Sequence, residues 1–204
     1  MTLYSPELSL RDARERYFAL NNFPNGGYEE SWVRMKVGPV PIGFPNTVAR
    51  VKAVKFHDLH HVLTEYETTW RGETEIGAWE VATGLAEHYQ GWLLDLLAFA
   101  VGLVINPRRV YRAFMRGRQS RNLFDVTLSD ELLARRVGDV RRELRLDREI
   151  APPALRDKAA FIGWMLASIA TYIGVSAIVL APLAMLILLI ILLANSSCLT
   201  FWNF

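Results

Sequence analysis

Three of the chain's four histidines fall within five residues, in Lys55-Phe56-His57-Asp58-Leu59-His60-His61. At 100° per residue, His57, Asp58 and His61 stand at about 0°, 100° and 40° around a helix, so two imidazoles and a carboxylate share one face. His60 falls about 60° to the other side and need not join them. Glu73 follows beyond a turn containing Gly72, and a helix-turn-helix return can bring it to the same point. Two His, one Asp and one Glu make a nitrogen and oxygen site. That suits Zn²⁺, Fe²⁺ or Mn²⁺ and lacks the thiolate that marks a purely structural zinc site. The plain alternative is a set of polar residues on a solvated helix. His57-x-x-His60-His61 also has the form of a histidine box of membrane di-iron enzymes. Those need several boxes, and only His88 remains here. Glu65, Glu80, His60 and His88 are available as acids or bases, but each reads as surface or as support behind the ligands.

His57-Asp58-x-x-His61, eleven residues from Val62 to Gly72, then Glu73 resembles the motif of the coenzyme Q (ubiquinone) biosynthesis protein family, the fourth Coq protein and its bacterial relatives. Phe56 before the motif, Val62-Leu63-Thr64-x-Tyr66 after it and Gly77-Ala78-Trp79-Glu80 beyond are also similar, and the resemblance covers roughly residues 10 to 125. It implies a largely helical fold at the membrane, with His57, Asp58, His61 and Glu73 holding one divalent ion beside a hydrophobic channel. It implies oxidative decarboxylation of a polyprenylated benzoate precursor, the ring C1 carboxylate being replaced by hydroxyl. Expected partners are that lipid, the membrane and other quinone-biosynthesis proteins, with a homodimer left open. Two other readings stand beside it: a lipid-binding scaffold that presents prenylated intermediates, and a related metalloenzyme acting on another lipid. Trp79, Leu85, Trp92, Leu93 and Leu96 to Phe99 could line an apolar groove, or simply pack as core.

The elements that must position these residues read as helices. Residues 6–20 have Leu10, Ala13, Tyr17 and Leu20 at helical spacing. Residues 21–47 are punctuated by Gly, Pro and Asn and read as a long loop, functional or wrapped on another element. A helix is expected from Val48 to about Glu67 with Thr47 as N-cap, then a turn to Gly72. A helical pattern runs from Glu73 to about Ile105, a basic helix over 108–120, and a helix from Ser129 to about Leu146. No strand with period-two alternation stands out. The expected class is all-α: a helical metal- and lipid-binding domain over residues 1–158, then a hydrophobic membrane anchor over 159–204.

That boundary comes from charge. The 23 Lys+Arg and 21 Asp+Glu all lie at or before Lys158, and residues 159–204 hold none of them and no His. Such a tail cannot face water. Ala159 to Leu180 suffices for one crossing; Ala181-Pro182 offers a break, leaving a bent single span or a helical hairpin. Arg156 and Lys158 before the span favour a cytoplasmic domain, on a bacterial inner membrane. The N-terminus has no apolar h-region of a secretory signal. A lone Cys198 excludes a disulfide scaffold, and a net charge of +2 gives no reason to expect nucleic acid. Arg108 to Arg121 form a cluster without an acid, either a solvated face or a contact for anionic head groups.

Overall fold

A computed structural model describes residues 3–37 and 40–200, with side chains described except at 35–37, 40 and 193–200. It is mostly helical: α1 (Leu10–Asn21), α2 (Val48–Thr64), α3 (Trp70–Thr83), α4 (Tyr89–Ile105), α5 (Pro107–Gly117), α6 (Asp130–Ala134), α7 (Val137–Glu143) and α8 (Leu155–Thr200). The helix starts follow local chemistry. The hydroxyls of Ser9, Thr47, Thr69 and Ser129 each accept from a backbone N–H in the first turn of α1, α2, α3 and α6. Pro107 opens α5, where its missing N–H has no helical partner to lose.

Three departures from the sequence expectation stand out. Residues 21–47 are not all loop. A 3-10 turn at Pro24–Gly27 leads into an antiparallel pair, β1 (Trp32–Val37) and β2 (Val40–Pro45), in the register Trp32↔Pro45 to Val37↔Val40. A two-stranded ribbon has only edges, so Pro41 and Pro45 are tolerated there and masked the strand pattern. The pattern over 73–105 is two helices, because Gly84 adopts φ 90° and Ala86 φ 45°, which no helix continues through. The stretch 129–146 is also two helices, broken where Arg135 and Arg136 become extended and Arg136 bridges Ser9.

The core lies between α2, α3, α4 and α5, around Leu59, Leu63, Ile76, Trp79, Phe99 and Phe114. Helices α3 and α5 approach closely because Gly117 sits against the Trp79 carbonyl, where a Cβ would come within 2.7 Å. The C-terminal carbonyls of α2 are clamped by arginines. Arg141 donates to the carbonyls of Val62, Leu63 and Tyr4 and to Glu65, and Arg116 donates to that of Thr64. The basic cluster is thus partly structural: Arg109 pairs with Glu75 and Arg118 with Asp157. Helix α8 is continuous over its 46 residues with Pro182 inside it, so a single long helix, not a hairpin, is formed through Thr200. The compositional boundary at Lys158 falls within its first turns, which pack on α4 and α5 through Ala160, Phe161 and Trp164.

Candidate metal centre

Helix α2 carries His57 and His61 one turn apart on the face that looks at the start of α3. Thr69 caps α3, and Glu73 stands in its first turn. The return is tight because Gly72 lies against the backbone of Glu67, where a Cβ would meet the carbonyl oxygen at 2.0 Å. No larger residue fits without moving Glu73.

Ligand atoms of His57, His61 and Glu73 lie within 4.8 Å of one another. His57 Nε2 is 3.1 Å from His61 Nε2 and 3.4 Å from Glu73 Oε2, and His61 Nε2 is 3.4 Å from Glu73 Oε1. Donors held 2.0–2.1 Å from a tetrahedral ion stand about 3.3 Å apart, so these separations fit one divalent ion. The other ring nitrogens are committed. His57 Nδ1 donates to Glu80 Oε2 at 2.9 Å, and His61 Nδ1 donates to the Tyr66 carbonyl at 2.8 Å. A carboxylate and a backbone carbonyl behind the imidazoles are the usual partners of metal-binding histidines, since they fix the tautomer that presents Nε2. His61 is further held by stacking on Tyr17, with ring centres 5.5 Å apart.

Asp58, expected as the fourth ligand, is beside the trio and not within it. Its Oδ2 accepts from the Tyr28 hydroxyl at 2.5 Å. Tyr28 follows the 3-10 turn, so the segment read as a wrapped loop does reach the site. Burial raises the proton affinity of Asp58, opposed by Tyr28 and the nearby histidines.

His60 points the other way and is fully buried. Its Nε2 accepts the Leu123 N–H at 3.0 Å, so its proton sits on Nδ1 and goes to Glu80 Oε1 at 2.6 Å. Burial lowers its proton affinity, which keeps it neutral. Glu80 therefore receives a bond from each of two imidazoles. Burial would raise its pKa, but His57 and His60 hold it well below the usual range. Behind it, Asp95 of α4 is buried with Oδ2 unbonded. Burial and the Glu80 charge raise its pKa far above that of an ordinary aspartate, so it stays neutral beside Glu80. The atoms of His57, Glu80 and Asp95 form a second close group. From spacing, Glu80 reads as surface or as support behind the ligands, and Asp95 has no role. Nothing in spacing alone placed Asp95, which needs the crossing of α3 and α4.

The electrostatics favour a cation. Burial works against a charge on His57, yet Glu80 and Glu73 outweigh it and raise its pKa well above 6.5. Burial likewise opposes the Glu73 carboxylate, and His61 and His57 overcome it, holding its pKa far below 4.5. The site is closed at His61, 1% exposed, and open at Glu73, 36% exposed.

His88 lies outside this cluster, buried against Phe56 and Phe124. Trp79 and Leu85 are enclosed in the core, with Trp79 Nε1 donating to Ser120, so they line no open groove; Leu93 faces outward. A cleft of about 410 Å³ is lined by Arg14, Tyr28, Lys55 and Leu128.

Comparison with family models, curated proteins and solved structures gives no match for this chain. The candidate site therefore stands on its own geometry.

Proposed function

We propose that the protein is a membrane-anchored metalloenzyme that converts a polyprenylated benzoate to the corresponding phenol in ubiquinone biosynthesis. The supporting observation is the pair of Nε2 atoms turned toward Glu73 while Glu80 and the Tyr66 carbonyl hold the opposite nitrogens. That arrangement has the chemistry of a catalytic rather than a structural site, because three protein ligands leave a position for substrate. The motif resemblance supplies the reaction class.

In that reaction the ring carbon exchanges its carboxyl for hydroxyl and CO₂ leaves; one atom of dioxygen becomes the hydroxyl oxygen, and the other is reduced to water by two electrons from an external donor and two protons. A bound divalent ion supplies a Lewis acid that orients an oxyanion and stabilises developing charge. The residues supply the rest. His57, His61 and Glu73 would hold the ion, with Asp58 bonded to Tyr28 outside the trio. Glu80 and His60 keep His57 in one tautomer. Zinc, iron and manganese all suit the donor set. A long apolar helix after Arg156 and Lys158 would hold the site at the cytoplasmic face of a bacterial inner membrane.

The test is complementation. Cells lacking the chain should accumulate the carboxylated prenyl precursor, and Glu73→Ala should fail to clear it. Full quinone production with Glu73→Ala, alongside lipid and partner proteins retained on the purified chain, would support the scaffold reading instead.

A further inference from the structure

Helix α8 carries about 69 Å of helix at 1.5 Å per residue, against a hydrocarbon core of about 30 Å. A crossing does not need all of it. The first turns are used inside the protein: Phe161 packs on Phe99, Tyr111 and Phe114, and Trp164 stacks on Trp92 with ring centres 5.1 Å apart. Because contact moves from Phe99 back to Trp92 as α8 advances, α4 runs antiparallel beside it.

Helix α4 is apolar around most of its circumference. One side meets α3, where Asp95 is buried, and another meets α8. Its remaining side carries Leu93, Leu97, Val101 and Val104 at helical spacing, flanked by Leu94 and Ile105. No charge interrupts it, and Val104 is 83% exposed. The outward side of α8 beside it shows Ile162, Leu166 and Ile169, also without a charge. At the end where α4 finishes and α8 begins stand Arg108, Arg112, Arg156 and Lys158, all exposed and without an ion-pair partner among the described residues.

We propose that α4 is a second membrane contact: its outer side faces lipid alongside α8, with these four cations on anionic head groups. The surface continues directly into the membrane-crossing helix, and the basic rim selects a lipid surface over another apolar protein face. The proposal rests on the membrane anchorage by α8 and adds a fixed orientation of the domain on the bilayer. The metal centre adjoins the buried side of α4, where ligand atoms of His57, Glu80 and Asp95 lie within 4.8 Å of one another.

Spin labelling of the full chain tests it. With Cys198→Ser as background, a label is placed at Val104→Cys, at Leu93→Cys, at Ile178→Cys within α8, or at Asp130→Cys on the water-facing side. The protein is reconstituted in vesicles of phosphatidylcholine and phosphatidylglycerol, with circular dichroism as the fold control. Labels at Val104 and Leu93 should collide several-fold more with oxygen than with a water-soluble nickel chelate, as at Ile178, with the reverse at Asp130. Nickel access at Val104 and Leu93 with Ile178 protected overturns the α4 contact alone. Nickel access at Ile178 removes the anchorage, and the proposal with it. Dipolar broadening between Val104 labels of two chains shows a second copy covering α4 and also overturns it.

Discussion

The Nε2 atoms of His57 and His61 face each other across 3.1 Å while their Nδ1 atoms are both spent on acceptors. Two neutral imidazoles so arranged would oppose lone pair to lone pair. Something positive must stand between them, either a proton on His57 or a metal ion beside Glu73.

Removing a ligand should remove the ion. His57→Ala, His61→Ala and Glu73→Ala should each abolish measurable zinc binding in equilibrium dialysis, with the helical circular dichroism spectrum retained for Glu73→Ala. Asp58→Asn should weaken binding without abolishing it, because Asp58 stands beside the trio. Wild-type affinity in Glu73→Ala would refute the assigned ligand set.

Glu80 acts from behind. Glu80→Gln keeps the shape but replaces one acceptor oxygen by an amide donor, so His57 and His60 cannot both be satisfied. Zinc affinity should fall about 10- to 100-fold, the usual cost of losing a supporting partner. The same variant should lose about 1–3 kcal/mol of stability in urea unfolding, because a buried donor is left unpaired. Unchanged affinity and stability would show that Glu80 neither orients His57 nor holds His60.

Acid should work differently on the two forms. In the metal-free fold the His57 pKa is raised above 6.5. Its contribution to stability is full below 6.5 and is lost as pH rises through the raised value. Glu73 and Glu80 are held below 4.5 and contribute above that value, losing the contribution as pH falls through their lowered values. Zinc must displace the His57 proton, so its stabilising effect grows as pH climbs past 6.5. Thermal unfolding at pH 5.5 and pH 8 should show the larger zinc-induced rise in Tm at pH 8. Equal rises would contradict this linkage.

Much of the site was legible because one helical turn separates His57 from His61 and a glycine turn precedes Glu73. What local spacing could not supply was everything from a neighbouring element. The Leu123 N–H that fixes His60 and the Asp95 carboxyl depend on chain crossings, and the Tyr66 carbonyl on how the chain turns just after α2. Tyr28 was hidden in a segment that Pro and Gly made look like loop. The helical class was readable from periodicity, while the break at Gly84–His88 was not, because the apolar pattern continues across it.

Gly72 should be irreplaceable in a measurable way. Gly72→Ala forces a Cβ onto the Glu67 carbonyl, so overpacking of about 1–3 kcal/mol is expected. Glu73 should move with the turn and zinc affinity should drop together with stability. A stable Gly72→Ala protein with normal affinity would show that the turn has room.

Truncation separates the parts of α8. Ending the chain after Lys158 removes Phe161 and Trp164, which are partly buried against the core, and should cost less for each than the about 3–5 kcal/mol of a fully buried aromatic. Ending it after Tyr172 keeps those contacts and should preserve both fold and zinc binding. Urea unfolding of the two truncations in detergent checks this, and equal stability would mean that the first turns of α8 contribute nothing to the domain.

The most direct test of the central claim is X-ray absorption at the metal edge of zinc-loaded full-length protein, read with the zinc content per chain. The expected result is one zinc per chain with two imidazole nitrogens and carboxylate oxygen at about 2.0–2.1 Å, and loss of the imidazole signal in His57→Ala and His61→Ala. A bound zinc with no imidazole in its shell, or an identical spectrum in those variants, would contradict the site.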